Sequence, residues 1–409
     1  MKDLKIFTNN VEGEAIEQIN LLLDQEAFKN SKIRIMPDVH AGKGCVIGFT
    51  GDLGDKVIPN IVGVDIGCGM LTVKLGNIDL DLEELDTIIR KYVPSGFNVH
   101  EERKEKFDKL QDLKCYRNLK QTKRIEKSLG TLGGGNHFIE IDMDEDNNKY
   151  LVIHTGSRNL GKQVADYYQN LADEICNYNM NELYEKKEQL IKEYKEQGRK
   201  SEIQSALGEL IKEYHTSKNV IPKDLAYLEG TYREDYLHDM KICQEFASLN
   251  RSTISKLICD NLDNIDFSPD TFETIHNYID LDSNIVRKGA ISAKKGEILL
   301  IPMNMRDGCI IGKGKGNIEW NESAPHGAGR IMSRKKAKET FNIEEFKKSM
   351  EGIYTTSVNE GTIDEAPFVY KPLQEIIDNI GDTVDILHII KPIYNFKASD
   401  LKEEAAAKL

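Results

Sequence analysis

Two potential metal ligands lie close together in residues 64–70, where Asp65 and Cys68 are separated by two residues. Glycines flank the thiol, and glycine allows the backbone to come close to an ion. An aspartate and a cysteine at this spacing also occur by chance, and a buried free cysteine usually packs as a small apolar side chain. The pair therefore becomes informative only if further ligands converge on it.

Four of the nine histidines provide such ligands, because each lies beside glycine or asparagine at the edge of a predicted turn. They are His137, His154, His276 and His326. One such histidine is usually structural, but four of them together with Asp65 and Cys68 predict a metal site. Carboxylate, thiolate and imidazole ligands suit manganese, iron or zinc better than magnesium or calcium. A thiolate can also bridge two ions, so these six residues suffice for a binuclear site with one histidine left over.

Glycine-rich turns and nearby cations predict a phosphate-binding surface. The turns are 133–135 and 327–329, and the cations are Arg158, Lys288, Arg330 and Arg334. Backbone amides in such turns form anion-binding concavities, and arginine binds phosphate oxygens bidentately. Neither turn has the Walker pattern or the dinucleotide fingerprint, and a glycine turn alone is weak evidence for a ligand.

Strands are predicted on either side of these residues. An apolar run at 61–64 predicts a buried strand that ends at Asp65, and 71–75 alternates as a strand should. Another strand is predicted to carry Asn136, His137 and Glu140. Further strands are expected within 32–50 and at 150–154, 273–278, 285–290, 298–302 and 383–396, and residues 312–316 are expected to form a glycine-lysine loop.

Helical periodicity is confined to a few segments. A helix is predicted from Asp81, with Leu82, Leu85, Ile88 and Ile89 on one face. Residues 96–128 are predicted to form loop and short helix. Residues 162–262 are predicted to form a helical insertion with a charged hairpin at 180–215. A helix predicted after residue 330 carries Arg334. We therefore expect an α+β fold, in which packed mixed sheets flanked by helices form one domain over 1–409, with a charged extension at 398–409.

Composition places the chain among ordinary soluble proteins. It has 409 residues and a mass of 46.4 kDa, and 39% of the residues are hydrophobic and 30% are charged. No apolar run approaches the roughly 20 residues that span a bilayer, no secretory signal is evident at the start, and seven scattered cysteines indicate reduced thiols. A cytoplasmic location without membrane attachment is expected. The net charge of −13 argues against a protein that coats nucleic acid, but not against a locally basic cleft.

The motifs and their order resemble those of the RtcB family of RNA-splicing ligases. The resemblance runs to Lys397 and covers nearly the whole chain apart from the helical hairpin. The matching segments are 36–40, 63–70, 130–140, 154–158, 276–278, 287–290, 326–330 and 332–334.

This resemblance implies a GTP- and manganese-dependent RNA ligase with a single RtcB-like catalytic domain. Such an enzyme joins a 3′-phosphate or 2′,3′-cyclic phosphate end to a 5′-hydroxyl end, through a histidine-GMP intermediate and an activated RNA 3′-diphosphate-guanosine end, in RNA repair or tRNA splicing. His326 is the implied nucleophile. One manganese ion would be held by Asp65, Cys68 and His137, and a second by Cys68, His154 and His276.

The resemblance also implies nucleotide and RNA contacts. The implied nucleotide-binding residues are Asn136, Phe138, Glu140, Asn277, Pro302, Met303, Asn304, Met305, Cys309, Gly327, Ala328, Gly329, Tyr370 and Lys397. Arg158, Lys288, Arg330 and Arg334 would contact RNA or the transferred phosphate. The partners would be RNA and GTP, and an activating protein partner is compatible with the family.

Several positions depart from the family pattern. Residues 302–305 read Pro-Met-Asn-Met where many members have Pro-Gly-Ser-Met, Pro325 replaces a frequent serine, and twelve residues follow Lys397. Two alternatives follow. A metal-dependent cyclic phosphodiesterase would keep the metal ligands but lack ligation, and a non-catalytic RNA-binding module is disfavoured by the acidic balance and by the absence of a basic stripe with interleaved aromatics.

Overall fold

The computed structural model describes residues 3–177, 180–216, 221–262 and 270–398. Apart from Ala398, the predicted extension at 398–409 lies outside these residues. The strands are β1 Asp3–Ile6, β2 Lys32–His40, β3 Ile47–Asp52, β4 Lys56–Val57, β5 Gly69–Gly76, β6 Phe138–Met143, β7 Lys149–Thr155, β8 Leu228–Glu229, β9 Thr271–Ile275, β10 Asn277–Asp280, β11 Ile285–Lys288, β12 Ala290–Ser292, β13 Ile298–Asn304, β14 Gly308–Gly314, β15 Ser323–Pro325 and β16 Val384–Lys397.

The α-helices surround these strands, which confirms the predicted α+β class. They are α1 Gly13–Leu23, α2 Pro59–Val62, α3 Leu82–Tyr92, α4 Thr122–Glu126, α5 Arg158–Asn177, α6 Met180–Glu196, α7 Ile203–Thr216, α8 Gly230–Cys259, α9 Arg334–Thr340, α10 Ile343–Ser349 and α11 Leu373–Ile380. Within the described ranges, none of the helices combines the length and the apolar character that crossing a membrane requires.

A seven-stranded antiparallel sheet forms the centre of the molecule, in the order β13-β14-β16-β6-β7-β5-β9. The N–H of Leu300 on β13 donates to Thr274 Oγ1 on β9 at 3.0 Å, so the two edge strands meet and the sheet nearly closes. A second, mixed sheet has the order β1-β2-β3-β11-β10, in which β1 and β2 are parallel. A separate antiparallel pair, β12-β15, contacts β2 and β3 of the second sheet and β9 of the first.

Alternation along the central strands separates core residues from site residues. Leu71 and Val73 of β5 pack with Ile153 of β7 in a core that α3 and α8 cover. Because successive side chains point to opposite faces of a strand, Glu140 and His154 lie on the other face of the sheet. The two-residue period thus places the polar groups of β6 and β7 inside the nearly closed sheet.

His276 marks the passage of the chain from one large sheet to the other. It lies between β9 of the seven-stranded sheet and β10 of the five-stranded sheet, and the predicted continuous strand at 273–278 is therefore interrupted. Its N–H donates to the carbonyl of Cys68 at 3.0 Å, and its own carbonyl accepts from the N–H of Gly289 at 2.7 Å. These two bonds fix the imidazole at the junction of the sheets.

Most predicted elements are confirmed. The helix begins after Asp81, whose carboxylate accepts hydrogen bonds from the N–H groups of Glu83 and Glu84, and the apolar face of the helix is buried. The two strands within 32–50, the loop with short helices at 96–128 and the charged hairpin formed by α6 and α7 also agree with the prediction.

The predicted buried strand at 61–64 is wrong. Pro59 begins a single helical turn, which ends at Gly63, where the backbone φ is 95°. The Gly63 N–H donates back to the Pro59 carbonyl at 3.2 Å. Ile61 and Val62 are buried in this helical turn, whereas Val64 is exposed. Asp65 and Cys68 lie in a turn before β5, not at the end of a strand.

Two further boundaries differ from the prediction. The expected loop at 312–316 is in part the strand β14, because β16 packs so closely that a Cβ on Gly312 would lie 2.4 Å from a methyl of Val384. Glycine here marks close strand approach and not a turn. Asn136 and His137 lie in the turn immediately before β6, whereas Glu140 lies on the strand as predicted.

Candidate active site

Two groups of potential metal ligands share the thiol of Cys68. In one group it lies with Asp65 and His137, and in the other with His154 and His276; within each group the ligand atoms lie within 4.8 Å of one another. Cys68 Sγ is 3.5 Å from His137 Nε2 and 3.4 Å from His154 Nε2. The structure therefore brings together all five residues that the sequence predicts as metal ligands.

Backbone carbonyls fix the orientation of two of these imidazoles. His137 Nδ1 is 2.9 Å from the carbonyl of Leu132, and His154 Nδ1 is 3.2 Å from the carbonyl of Asn136. Because a carbonyl only accepts, each Nδ1 carries a proton and each Nε2 faces the cluster, where His137 Nε2 lies 3.0 Å from Asp65 Oδ2. Burial lowers the pKa of His154 well below its usual range, so this ring is neutral, as a metal ligand must be.

Helix α8 supports the ligand-bearing loops from behind. Arg251 donates through Nη1 to the carbonyls of Gly67 at 2.9 Å and Thr155 at 2.8 Å, and its Nε reaches Glu273 at 3.0 Å. Asn250 accepts the N–H of Gly130 at 2.8 Å. Both side chains are completely buried, so one helix fixes the loops before β5, after β7 and before β6.

His326 lies beside this cluster and is held by Asp38. Its ring meets the His276 ring edge-on, with the centroids 4.8 Å apart. Asp38 Oδ2 is 2.6 Å from His326 Nδ1 and also accepts the His326 backbone N–H at 3.1 Å. Since a carboxylate accepts, Nδ1 carries the proton and Nε2 is the nitrogen with a free lone pair.

A cavity of about 720 Å³ opens over these groups. Its wall includes Asp65, Cys68, His154, His276 and His326, and it contains nearly all the predicted nucleotide-binding residues. Those in the wall are Asn136, Phe138, Glu140, Asn277, Pro302, Met303, Asn304, Met305, Gly327, Ala328, Gly329, Tyr370 and Lys397.

A buried carboxylate organises the cations of the cavity. Glu365 accepts from Lys397 Nζ and from Arg334 Nη1, each at 2.8 Å, and from the hydroxyl of Tyr370 at 2.7 Å. Arg330 Nη1 lies 3.3 Å away. Burial raises the pKa of Glu365, but these three cations lower it to about 2. The carboxylate therefore remains charged and fixes the positions of the cations around the cavity.

A second buried acid, Asp142, lies on β6 beside Glu140, and none of the described cations forms an ion pair with it. Their carboxylate oxygens lie within 4.8 Å of each other and of Cys309 Sγ. Glu140 is hydrogen-bonded by the amide of Asn395, whereas both oxygens of Asp142 are buried without a hydrogen-bond donor. Burial, and then the charge of Glu140, raise the pKa of Asp142 well above its usual range. Asp142 is therefore a neutral acid that can donate its proton to Glu140.

Three predicted residues are placed differently from the rest. The ammonium of Lys288 donates to the carbonyls of Lys43 at 2.7 Å and Asn60 at 2.9 Å, and this side chain is buried outside the cavity wall. Cys309 lies behind Glu140, with its Sγ 3.9 Å from Oε1. Arg158 is largely buried near Asp65 and donates to the Gly96 carbonyl at 2.9 Å.

Several site residues were missed from the sequence. Asp38 lies in the predicted first hairpin and carried a signal, since it precedes a histidine within a proline-containing strand. Glu365 and Asp142 carried none, because a lone carboxylate shows its burial only after folding. Asn250 and Arg251 gave a weak signal, as two polar residues adjoining the apolar face of a long helix.

Comparison with known proteins finds related sequences over nearly the whole chain. A family model described as tRNA-splicing ligase RtcB matches residues 25–118 and 111–398. The RNA-splicing ligase RtcB of Escherichia coli K12 is 32% identical over 432 residues, covering 95% of this chain and 96% of that protein. The tRNA-splicing ligases RtcB of Nanoarchaeum equitans and Methanococcus maripaludis are 25% and 24% identical, over 84% and 95% of this chain and 83% and 92% of their own lengths.

The raised pKa of Asp142 makes the stability of the protein depend on pH. Asp142 ionises in the unfolded chain near its ordinary pKa of about 4 but stays protonated in the folded one. Its stabilising contribution is complete below that value and is lost as the pH rises towards the folded-state pKa. Asp142→Asn removes this titration and keeps an N–H donor towards Glu140. We expect its melting temperature to exceed that of the parent at pH 7.5, and the difference to shrink as the pH falls to 4.

Thermal unfolding followed by circular dichroism between pH 4 and pH 8 measures this difference. Asp146→Asn is the matched control, since Asp146 is exposed in the turn after the same strand, and it should track the parent at every pH. An Asp142→Asn protein whose melting temperature stays parallel to that of the parent would show that Asp142 is ionised in the fold.

Proposed function

The chain belongs to the RtcB family of RNA-splicing ligases, and we propose that it joins RNA ends in a reaction that uses GTP and manganese. One RNA end would carry a 3′-phosphate or 2′,3′-cyclic phosphate, and the other a 5′-hydroxyl. The observation that carries the proposal is the convergence of six predicted side chains: two ligand groups share one thiol, and His326 adjoins them at the same cavity. Such RNA would come from splicing or from repair.

Two manganese ions fit the donor atoms that the chain provides. Asp65, Cys68 and His137 would hold one ion, and Cys68, His154 and His276 would hold the other, so the Cys68 thiolate would serve both. The imidazole nitrogens and the shared sulfur support manganese over magnesium or calcium, which prefer oxygen ligands. When bound, manganese would neutralise phosphate charge and stabilise the leaving pyrophosphate.

His326 is assigned as the nucleophile that accepts GMP. Its Nε2 forms a bond to the α-phosphorus of GTP while the bond to the pyrophosphate oxygen breaks. The ring then carries a positive charge, since Nδ1 keeps its proton, and the Asp38 carboxylate at 2.6 Å stabilises that charge. Asp38 is therefore a positioning residue with an electrostatic role.

The remaining steps return the histidine to its starting state. An oxygen of the RNA 3′-phosphate bonds to the same phosphorus, the N–P bond breaks, and its electron pair returns to Nε2. The RNA end is now an activated 3′-diphosphate-guanosine. The 5′-hydroxyl oxygen then attacks the RNA phosphorus, loses its proton and displaces GMP. A cyclic phosphate must first be opened by water to the 3′-phosphate.

The guanosine would lie in the cavity over the buried face of β6. Glu140, supported by Asn395 and by the neutral Asp142, would accept the N–H groups of the guanine edge. Phe138, Asn277 and the turn 327–329 would surround the nucleotide, with the cavity residues of 302–305. Lys397, Arg330 and Arg334 would face phosphate, while Lys288 is assigned a structural role because carbonyls satisfy its ammonium.

One catalytic domain would account for this arrangement. The cavity wall draws on residues from Glu12 to Lys397, and we infer that the helical insertion at 162–262 belongs to the same domain, since α5 and α8 contribute to its core. The hairpin formed by α6 and α7 would be an accessory element.

A cyclic phosphodiesterase is the second candidate, and Met303 and Asn304 favour it. Both residues line the cavity in place of the smaller residues that many family members have. A phosphodiesterase would need the metal ligands but not His326 as a nucleophile. Covalent guanylylation therefore separates the two functions.

Incubation with labelled GTP and manganese should give a covalent, acid-labile GMP adduct. His326→Ala should abolish the adduct. Asp38→Asn keeps the shape of the buried side chain but loses its charge, so adduct formation should slow by roughly 100-fold or more, with little change in the KM for GTP.

The Lys288→Met variant serves as a control with an intact His326, since Lys288 lies outside the cavity wall. Any loss of adduct in that variant should follow its loss of folded protein. A protein that opens cyclic phosphates but forms no adduct would be the phosphodiesterase, and the ligase proposal would be wrong.

The close approach of Gly156 to Asp65 gives a test of the metal assignment. A Cβ at Gly156 would lie 2.3 Å from Asp65 Oδ1, so Gly156→Ala must displace the carboxylate. We expect manganese affinity to fall by roughly tenfold or more, as for other changes that disturb ligand orientation. Isothermal titration calorimetry would measure it.

Gly134→Ala is the control from a neighbouring loop, because its nearest non-adjacent atom would be 3.8 Å away. It should bind manganese as the parent does. Equal affinity in Gly156→Ala and Gly134→Ala would contradict the assignment of Asp65 as a ligand.

A further inference from the structure

Residues 95–127 form an exposed basic segment in an otherwise acidic protein, which we name the basic loop. It contains ten lysines and arginines against six aspartates and glutamates, while the whole chain has a net charge of −13. Two short 3-10 helices, Asp108–Asp112 and Tyr116–Asn118, and α4 lie within it. Most of its cations are exposed, so the folded loop presents positive charge to solvent.

Phe97 projects from the basic loop with 96% of its surface exposed, the highest value among the large hydrophobic side chains that are described. Its backbone is nevertheless fixed. The Phe97 carbonyl accepts from Arg124 Nη2, and the N–H of Asn98 donates to the carbonyl of Ser95 at 3.1 Å. A fixed backbone therefore presents an aromatic face that the protein itself leaves uncovered.

The basic loop connects directly to the loops of the metal cluster. The N–H of Gly96 donates to the carbonyl of Gly133 at 2.8 Å, in the glycine turn that leads to His137. The Gly96 carbonyl in turn accepts from Arg158 Nη2 at 2.9 Å. Phe97 thus adjoins a residue that is hydrogen-bonded to the glycine turn before His137, a predicted metal ligand.

We propose that the basic loop binds a single-stranded end of the substrate RNA, with one base stacked on Phe97 and phosphates near Lys120, Lys123 and Arg124. This inference rests on the proposed function and specifies how that site receives its substrate. A base presents a flat π-face whatever its identity, and cations beside an aromatic are the combination that binds single strands without sequence preference. The occupant is RNA because its phosphates would pair with the cations of the basic loop while an exposed base stacks on the Phe97 ring.

The segment shows no regular period of basic and aromatic residues in the sequence. Its positive surface arises because nearly all of its lysines and arginines are exposed in the fold, and Arg124 is held against the backbone of Phe97. The acidic balance of the chain therefore gives no indication of this patch, and only the folded loop reveals it.

Direct binding measurements test the proposal without turnover. In the His326→Ala background, fluorescence polarisation with a labelled single-stranded RNA should show Phe97→Ala weakening binding by roughly 5- to 100-fold. Phe97→Trp should restore it. The double variant Lys120→Ala/Lys123→Ala should reduce the slope of log affinity against log salt by about 1 to 2.

Matched controls separate these effects from general changes. Tyr232→Ala removes another exposed aromatic, and Lys29→Ala another exposed cation; neither should alter RNA affinity. With an intact His326, guanylylation by labelled GTP should proceed at the parental rate in Phe97→Ala, because Phe97 lies outside the cavity wall, while the KM for RNA in ligation rises.

The outcomes distinguish this proposal from the proposed function. Parental RNA affinity in both Phe97→Ala and the double lysine variant would overturn the assignment of the basic loop, whatever the enzyme does with GTP. A protein that binds RNA through Phe97 yet forms no GMP adduct would support the basic loop and refute the ligase. Loss of binding to a partner protein with RNA affinity unchanged would assign the surface to that partner and overturn this proposal.

Discussion

One sulfur atom in contact with two imidazoles is the constraint on which the rest of the site depends. Cys68 Sγ lies within 3.5 Å of Nε2 on both His137 and His154, and each ring is turned towards it by a backbone carbonyl. A shared ligand tolerates little displacement, because any shift that favours one group opens the other. The burial of Arg251, with donors to two of the adjoining loops, is the structural answer to that requirement.

Three buried carboxylates around the cavity have three different fates, each set by its neighbours. Asp38 faces an imidazole N–H, Glu365 meets Lys397 and two arginines, and Asp142 lies beside another acid. Opposite charge keeps Glu365 ionised, whereas burial beside a like charge keeps Asp142 protonated. The same functional group thereby orients the imidazole of His326, holds a set of cations and retains a proton, in three neighbouring environments.

The sequence predicted the parts of this site whose chemistry is visible in residue type. Asp65, Cys68 and four histidines are potential metal ligands at the edges of predicted turns, and the fold brings them together. Burial and pairing are invisible in a sequence, which is why Glu365 and Asp142 were missed and why Lys288 was expected at phosphate. The strand prediction at 61–64 was wrong for a related reason. A short apolar run indicates burial but does not distinguish a helix from a strand, and here Pro59 begins a helical turn. Gly312 was predicted to lie in a turn because glycine is favoured both in turns and where two strands pack closely.

The position of β16 determines when the molecule can be completed during synthesis. This strand follows every other described element in the chain, yet it pairs in the middle of the seven-stranded sheet between β14 and β6, and Lys397 is its last residue. Until it emerges from the ribosome, β14 and β6 each keep an unpaired edge, which is a template for aggregation. Contacts that span so much of the chain also form slowly. A nascent chain is therefore vulnerable to aggregation until β16 is inserted, and its yield in a cell should depend on how well those two edges are shielded in the meantime.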